Sequence, residues 1–384
     1  MPKLTSALFP IFIVSHFITS ASALAGSSPP VLFASDEVIE MSLQADFSKL
    51  LWREIRKGEI TPRSELPPVS GILRYQDQRR EVVVPVALSP RGRNRFFECP
   101  MLPPLKIAFE DADLQETVFA GFESSKLKLT TPCFYSENLA DPALGKLDVR
   151  TEYVLKEYAL YKAIESLGLP AFRTRLVRLT YRNSEGRAFM TAYSFFIEPS
   201  KQLARRYGCY YVNIKDRPYF NRRKLSAEQL LSYELQRAVF QEDADHSLNT
   251  DHDPGSLWPE IANNNGLLYL GDSDRLFATV SYDFDWSYLV ESPLNLNLKF
   301  EKAAVKRARQ LQEFGSALAE ASWSTRFKFA SNYFSRKDVV LRRLSKVPLR
   351  DRAEIFKNLE LIFGMLEKYA VGVNPLFNPK SDDR

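Results

Sequence analysis

The first third of the chain alternates. Val38-Ile39-Glu40-Met41-Ser42-Leu43-Gln44-Ala45 places apolar and polar residues in turn, which predicts a β-strand with one buried face. A short helix is expected at 46–57. Two further strands, Ser70–Tyr75 and Arg80–Ala87, flank Gln76-Asp77-Gln78 and read as a hairpin. Leu105-Lys106-Ile107-Ala108-Phe109 alternates again, and so does Lys126-Leu127-Lys128-Leu129-Thr130-Thr131-Pro132-Cys133. On that last strand Lys126 and Lys128 share a face.

The period then lengthens. From Thr151 to Leu167, apolar and aromatic positions recur at helical spacing among Glu152, Lys156, Glu157 and Glu165, and Gly168-Leu169-Pro170 stops the helix. A charged side chain such as Glu157 on an amphipathic helix ordinarily pairs at the surface with a Lys or Arg one turn away. Thr174–Arg182 and Ala188–Glu198 are strands joined by Asn183-Ser184-Glu185-Gly186, and a helical stretch follows at Lys201–Tyr207. Ser226 and Gln229 form a capping box that opens a helix running to about Phe240. Leu267–Leu270 and Leu276–Val280 read as strands, and residues 296–369 as almost entirely helical. No internal repeat is present.

Composition refines this picture without overturning it. The 384 residues are 45% hydrophobic and 26% charged, an ordinary globular balance. The net charge of +5 is spread along the chain with no basic stripe among aromatics, which argues against nucleic acid. Lys3, the apolar run Leu8–Phe17 and the small residues Ala21–Gly26 form the three regions of a secretory signal, with cleavage after Ala23 or Ala25. The mature protein is therefore expected in the periplasm or outside the cell, with no membrane span left. In that oxidising setting the three cysteines allow one bridge, for which Cys99 and Cys133 are the favoured pair, or three solitary thiols.

Tyr282-Asp283-Phe284-Asp285-Trp286-Ser287 directly follows a predicted strand. Carboxylates at alternate positions there either share a hard cation or decorate a charged turn. Asp243, Asp245, Asp251 and Asp253 with His246 and His252 form an acidic loop or, alternatively, a transition-metal site. The basic loop Arg91-Gly92-Arg93-Asn94-Arg95 reads as a solvated turn. A Gly-x-Ser-x-Gly elbow is absent, which weighs against a serine hydrolase. The order of the remaining parts suits phosphoryl transfer: a strand lysine, a helix glutamate, an Asp loop, an Asn run and an Asp-x-Asp. The strings His-Arg-Asp and Asp-Phe-Gly do not occur.

Five strings carry a family resemblance: Pro103-Pro104-Leu105-Lys106-Ile107, Lys126-Leu127-Lys128-Leu129 with Cys133, Tyr153-Val154-Leu155-Lys156-Glu157-Tyr158, Arg173-Thr174-Arg175-Leu176-Val177, and the Tyr282–Ser287 motif. Together, over residues 33–300, they resemble the CotH-type kinase-like proteins, in particular a secreted bacterial subgroup. The resemblance implies an α+β, two-lobed protein-kinase-like fold with a β-rich N-terminal extension and a mainly helical C-terminal lobe. The corresponding division is a signal peptide (1–25), a linker (26–35), a β-rich region (36–112), a kinase-like N-lobe (113–199) and a helical C-lobe (200–384). It also implies ATP with Mg²⁺ or Mn²⁺ between the lobes.

In that reading Lys126, Lys128, Glu157 and Glu198 bind the nucleotide, with Glu198 at the interlobe hinge. Asp245 serves the acceptor hydroxyl, with Lys128 and Glu157 completing the catalytic set. Asp283, Asp285 and Asn264 hold the metal. The chain departs from the subgroup where Asp243-Ala244-Asp245-His246-Ser247 stands in place of Asn-x-Asp-Trp-Ser, and where Asn263-Asn264-Asn265 replaces a His-Asn pair. The expected function is an exported kinase acting on a protein hydroxyl in the envelope or outside. The alternatives are an inactive kinase-like envelope assembly protein, or another nucleotide-dependent transfer such as adenylylation.

Overall fold

The computed structural model describes residues 30–50, 67–78, 80–91, 99, 102–109, 114–122, 126–136, 147–213, 225–240, 265–271, 275–282 and 300–370, with only the backbone at 134–136, 147–150, 240 and 300–307. The predicted signal segment and Asp245, Asn264, Asp283 and Asp285 lie outside the described residues.

The alternating segments close into one barrel. Its strands are β1 (Ile39–Ala45), β2 (Val69–Asp77), β3 (Arg80–Pro90), β4 (Leu105–Ala108), β5 (Lys126–Thr130), β8 (Thr174–Arg182) and β9 (Ala188–Ile197). The order around the barrel is β1-β2-β3-β4-β5-β9-β8, and β8 returns to pair in parallel with β1. Closure leaves no free edge in this sheet. The stretches before and after residue 112 therefore share a sheet, through β4–β5 and β1–β8. Leu43, Leu73, Val84, Leu105, Ile107, Leu127, Leu129, Leu179 and Phe196 fill the interior. The hairpin strands run further than alternation suggested, since Asp77 pairs with Arg80.

Two short strands, β6 (Cys133–Ser136) and β7 (Leu147–Arg150), pair antiparallel and lead into α1 (Glu152–Leu167). Helix α1 ends at Gly168, whose φ of 76° only glycine adopts readily. This helix is not the surface helix its charges suggested. The outer faces of β8 and β9 cover one side, and later helices cover the other. Lys156, Glu157 and Lys162 are consequently only 3%, 1% and 3% exposed.

After β9 come α2 (Ser200–Arg206), β10 (Cys209–Asn213), α3 (Ala227–Phe240), β11 (Asn265–Leu270) and β12 (Leu276–Ser281). Strands β10, β11 and β12 form a small antiparallel sheet. Strand β10 was not anticipated, because Cys209-Tyr-Tyr-Val-Asn does not alternate. Its aromatic and β-branched content after Gly208 was the available signal. The capping box at α3 forms as read: the Ser226 amide donates to Gln229 Oε1 at 2.9 Å and the Gln229 amide to Ser226 Oγ at 3.3 Å. Helices α4 (Phe300–Glu320), α5 (Trp323–Phe334), α6 (Lys337–Ser345) and α7 (Ala353–Ala370) complete the chain. Helix α3 packs on α4, α5 on α7, and α6 on α1. Among the described residues no helix is long and apolar enough to cross a membrane.

Cys99 and Cys133 form a disulfide with Cα atoms 5.0 Å apart, as favoured from the sequence, and Cys209 is free. Burial pushes the Cys209 thiol up to about 11. The bridge spans 34 residues, so its loss releases an unfolded loop worth about 4 kcal/mol. Cys99→Ala/Cys133→Ala is expected to unfold at lower urea by that amount. A midpoint equal to wild type would deny the bridge its stabilising role.

Candidate functional site

Lys128 is the described centre of the site. Leu127 and Leu129 face the barrel interior, so the two-residue period turns Lys126 and Lys128 outward, the first exposed and the second half-buried. Lys128 sits directly opposite Ile197 of β9. Its ammonium lies 5.9 Å from the ring centre of Phe172 and 5.9 Å from that of Tyr282. The two rings stand edge to face at 6.0 Å. Phe172 also meets Tyr211 edge-on, and Asn213 Nδ2 donates to the Tyr282 hydroxyl at 3.1 Å. Three separated segments thus place the lysine beside Tyr282, the residue immediately before Asp283.

Helix α1 supplies Glu157. Tyr153, one turn earlier on the same helix face, donates its hydroxyl to the carbonyl of Thr131 at 2.8 Å, just past β5. The helix face carrying Glu157 is thus tied, through Tyr153, to the segment that leaves the lysine strand. At 1% exposure its carboxylate requires compensating charge or hydrogen bonds. This buried setting excludes the surface-pair role a helix glutamate ordinarily plays.

Glu198 is also 1% exposed, directly after β9. Arg206 Nη2 reaches its Oε2 at 2.7 Å and Arg206 Nε its Oε1 at 3.2 Å, while the Arg173 amide donates to Oε2 at 2.9 Å. Arg206 also donates to the Ala171 carbonyl at 2.6 Å. Burial works against the guanidinium charge, yet the neighbouring carboxylate holds its pKa above the usual value. In the structure, then, the Glu198 carboxylate ties α2 to the segment entering β8.

Helix α3 organises the opposite wall. Gln236, fully buried, donates Nε2 to the Thr279 carbonyl at 3.1 Å and accepts from the Ser281 amide at 2.9 Å. It takes the place of a neighbouring strand along β12. Ser281 Oγ donates to Asn265 Oδ1 at 2.7 Å, and Asn265 pairs with Ser281 across the sheet. That register brings the chain entering β11, directly after Asn264, beside the chain leaving β12 toward Asp283. Helix α3 itself ends at Phe240, five residues before Asp245 in sequence. Gln236→Leu leaves two buried backbone groups unpaired and is expected to cost about 2 kcal/mol in urea unfolding. A cost near zero would remove Gln236 from the support of this strand.

Lys126, Lys128, Glu157 and Glu198 are thus placed by the described structure. Asp245, Asn264, Asp283 and Asp285 are not described, so their own positions are not part of the geometry. Among the described residues no three His, Cys, Asp or Glu side chains converge where they could hold a metal ion. Sequence reading marked Tyr282 within the Asp-x-Asp motif but did not single out Phe172 or Tyr211. Only the pairing of separated segments gathers the three around a cation.

No protein-family model matches the chain. No curated protein matches it. Among solved structures it shows a distant likeness to the crystal structure of a Helicobacter pylori proinflammatory kinase CtkA, at 10% sequence identity and a TM-score of 0.32, covering 73% of this chain and 90% of that one.

Proposed function

We propose that the protein is an exported, two-lobed, ATP-dependent transferase that phosphorylates a protein hydroxyl with the help of a divalent cation. The observation that carries this reading is the placement of the Lys128 ammonium 5.9 Å from the ring of Tyr282, next in sequence to Asp283. A buried Glu157, one turn after the Tyr153 that bonds just past the lysine strand, adds to it. Phosphoryl transfer is largely positioning and charge neutralisation, so a lysine, its glutamate and a cation-binding carboxylate pair must meet in one place.

Two carboxylates and an amide oxygen, from Asp283, Asp285 and Asn264, are hard donors suited to Mg²⁺ or Mn²⁺. Bound there, the cation would neutralise charge on the phosphate chain. Lys128 binds phosphate oxygens, with Lys126 further along the same strand face. Glu157 orients Lys128. Asp245 accepts or orients the proton of the acceptor hydroxyl. The signal-like N-terminus supports export, and with it an acceptor in the envelope or outside.

The test uses the mature protein with ATP labelled at the γ-phosphate and Mn²⁺ or Mg²⁺. Labelling of the protein itself or of an acidic model protein, lost in Asp283→Ala, is expected. Equal labelling by Asp283→Ala would overturn the assignment. Intact mass of the product identifies the group moved, and a gain of a nucleotidyl group would replace phosphorylation by adenylylation. No thermal stabilisation by ATP with either cation would favour an inactive assembly protein, because a ligand that binds only the folded state must stabilise it.

A further inference from the structure

The outer face of β4 and β5 carries more positive charge than the transferase reading uses. Lys106 lies directly opposite Lys128, and Ala108 opposite Lys126. Directly opposite residues in an antiparallel pair project to the same side, about 5 Å apart at Cβ. Leu105, Ile107, Leu127 and Leu129 fill the barrel, so Lys106, Lys126 and Lys128 all point outward together. Like charges set opposite each other are unfavourable for the sheet alone. The inward leucines and isoleucine already fix both strands, so packing gives no reason for a lysine at 106.

A fourth cation borders the same face. The Arg91 amide donates to the Pro104 carbonyl at 2.7 Å, which continues the β3–β4 ladder past the end of β3. Its guanidinium donates Nη2 to Thr130 Oγ1 at 2.9 Å, and Thr130 is two residues beyond Lys128 on the outward side of β5. Arg91 is therefore half-buried and anchored, not the start of the solvated turn that its sequence suggested. Its Nε is buried and has no hydrogen-bond partner among the described residues.

We propose that Arg91 and Lys106 join Lys126 and Lys128 in a single site for a condensed phosphate chain, of the triphosphate class. This deepens the transferase reading, from which it takes the nucleotide as one source of that chain. An inorganic polyphosphate is the other source with the same chemistry. Lys128 meets the end of the chain nearest Tyr282, and Lys106 and Lys126 meet oxygens further along the strands. Arg91 closes the face beyond Thr130, its planar fork matched to phosphate oxygens. The cross-strand spacing is short enough for lysine side chains to contact neighbouring phosphates of one chain.

The experiment is calorimetric titration of the mature protein with tripolyphosphate, ATP and adenosine, in chelator and at two salt concentrations. Wild type, Lys106→Gln, Lys106→Arg and Arg91→Gln are compared, with melting temperature as the folding control. Lys106→Gln is expected to weaken both tripolyphosphate and ATP by roughly tenfold and to flatten the salt dependence. Adenosine affinity and melting temperature stay unchanged, since Lys106 is exposed, and Lys106→Arg restores binding. Wild-type affinity for tripolyphosphate in both Lys106→Gln and Arg91→Gln overturns the site, even if ATP-dependent labelling persists. Lys106-dependent binding of tripolyphosphate with no labelling from ATP supports the site and sinks the transferase reading. Failure of wild type to bind tripolyphosphate in chelator overturns the site, and failure to bind ATP once Mg²⁺ or Mn²⁺ is restored removes the transferase reading as well.

Discussion

Lys128→Met will leave the protein folded and lower ATP-dependent labelling by roughly 100-fold or more, the scale seen when one preorganised group facing developing charge is removed. The fold is expected to survive because Lys128 is half-buried on the outer face, while Leu127 and Leu129 do the packing. Methionine keeps the unbranched stem against Phe172 and Tyr282 and removes only the ammonium. The lost interaction with the two rings is worth about 1 kcal/mol, too little to unfold the barrel. Labelling measured beside thermal melting separates the two effects. If Lys128→Met melts and labels like wild type, the assignment of this face to the nucleotide is wrong. Glu157→Gln, near-isosteric, should reduce labelling as well, since the role proposed for Glu157 in orienting Lys128 needs a carboxylate. Its melting must be followed with care, because position 157 is buried.

Lys162→Met carries the second large effect, on stability. Lys162 is 3% exposed and its ammonium reaches Asp36 Oδ1 at 2.8 Å, the Thr174 carbonyl at 2.7 Å and Glu165 Oε2 at 3.2 Å. Arg343 of α6 completes the group, at 2.6 Å from Asp36 Oδ2 and 2.9 Å from Glu165 Oε2. Asp36 and Arg343 are 307 residues apart. The network thus fastens the N-terminal segment, α1, the start of β8 and α6 to one another. Removing one partner from a buried group costs about 3–5 kcal/mol, because its companions stay desolvated. Asp36 is 41% exposed and keeps Arg343, so the lower end of that range is expected. Urea unfolding measures it, and a cost under about 1 kcal/mol would show the network to be dispensable.

The same network fixes a pH dependence. Burial alone would raise the Asp36 carboxyl, but hydrogen bonds from Arg343 and Lys162 and their charges outweigh it and hold the group well below the usual carboxylate range. A folded-state value below the unfolded one means stability that is complete above the unfolded value, near pH 4, and lost as pH falls through the folded one. The urea midpoint of wild type is therefore expected to drop below about pH 4, and less steeply in Asp36→Asn. Parallel curves for the two proteins would show that Asp36 does not contribute.

Much of the local structure was legible in the chain. Strands β1, β4 and β5 follow two-residue alternation, since each has one face in the barrel and one outside it, while β8 shows it in its alternating arginines and β9 was marked by apolar and aromatic content. Helix α1 ends where Gly168 allows a left-handed residue, and α3 begins at the Ser226–Gln229 box. These features depend on neighbours within four residues, so sequence order is enough to read them. The outward turn of Lys126 and Lys128 was legible for the same reason.

What the sequence left open depended on partners distant along the chain. Alternation marks Lys106 as outward but does not name Lys128 as its opposite; the β4–β5 register decides that. Helical spacing gave α1 a polar side. Only the packing of β8 and β9 on one face and α6 on the other buried Glu157 and Lys162, changing them from surface charges into groups that require partners. The hairpin β2–β3 could be read from adjacent residues, but the parallel pairing of β1 with β8 that closes the barrel joins segments 138 positions apart, as at Ile39 and Val177. Hydrophobic period reports which face of a segment avoids water. It carries no record of which other segment covers that face, and this second fact gathered Lys128, Phe172 and Tyr282 in one place.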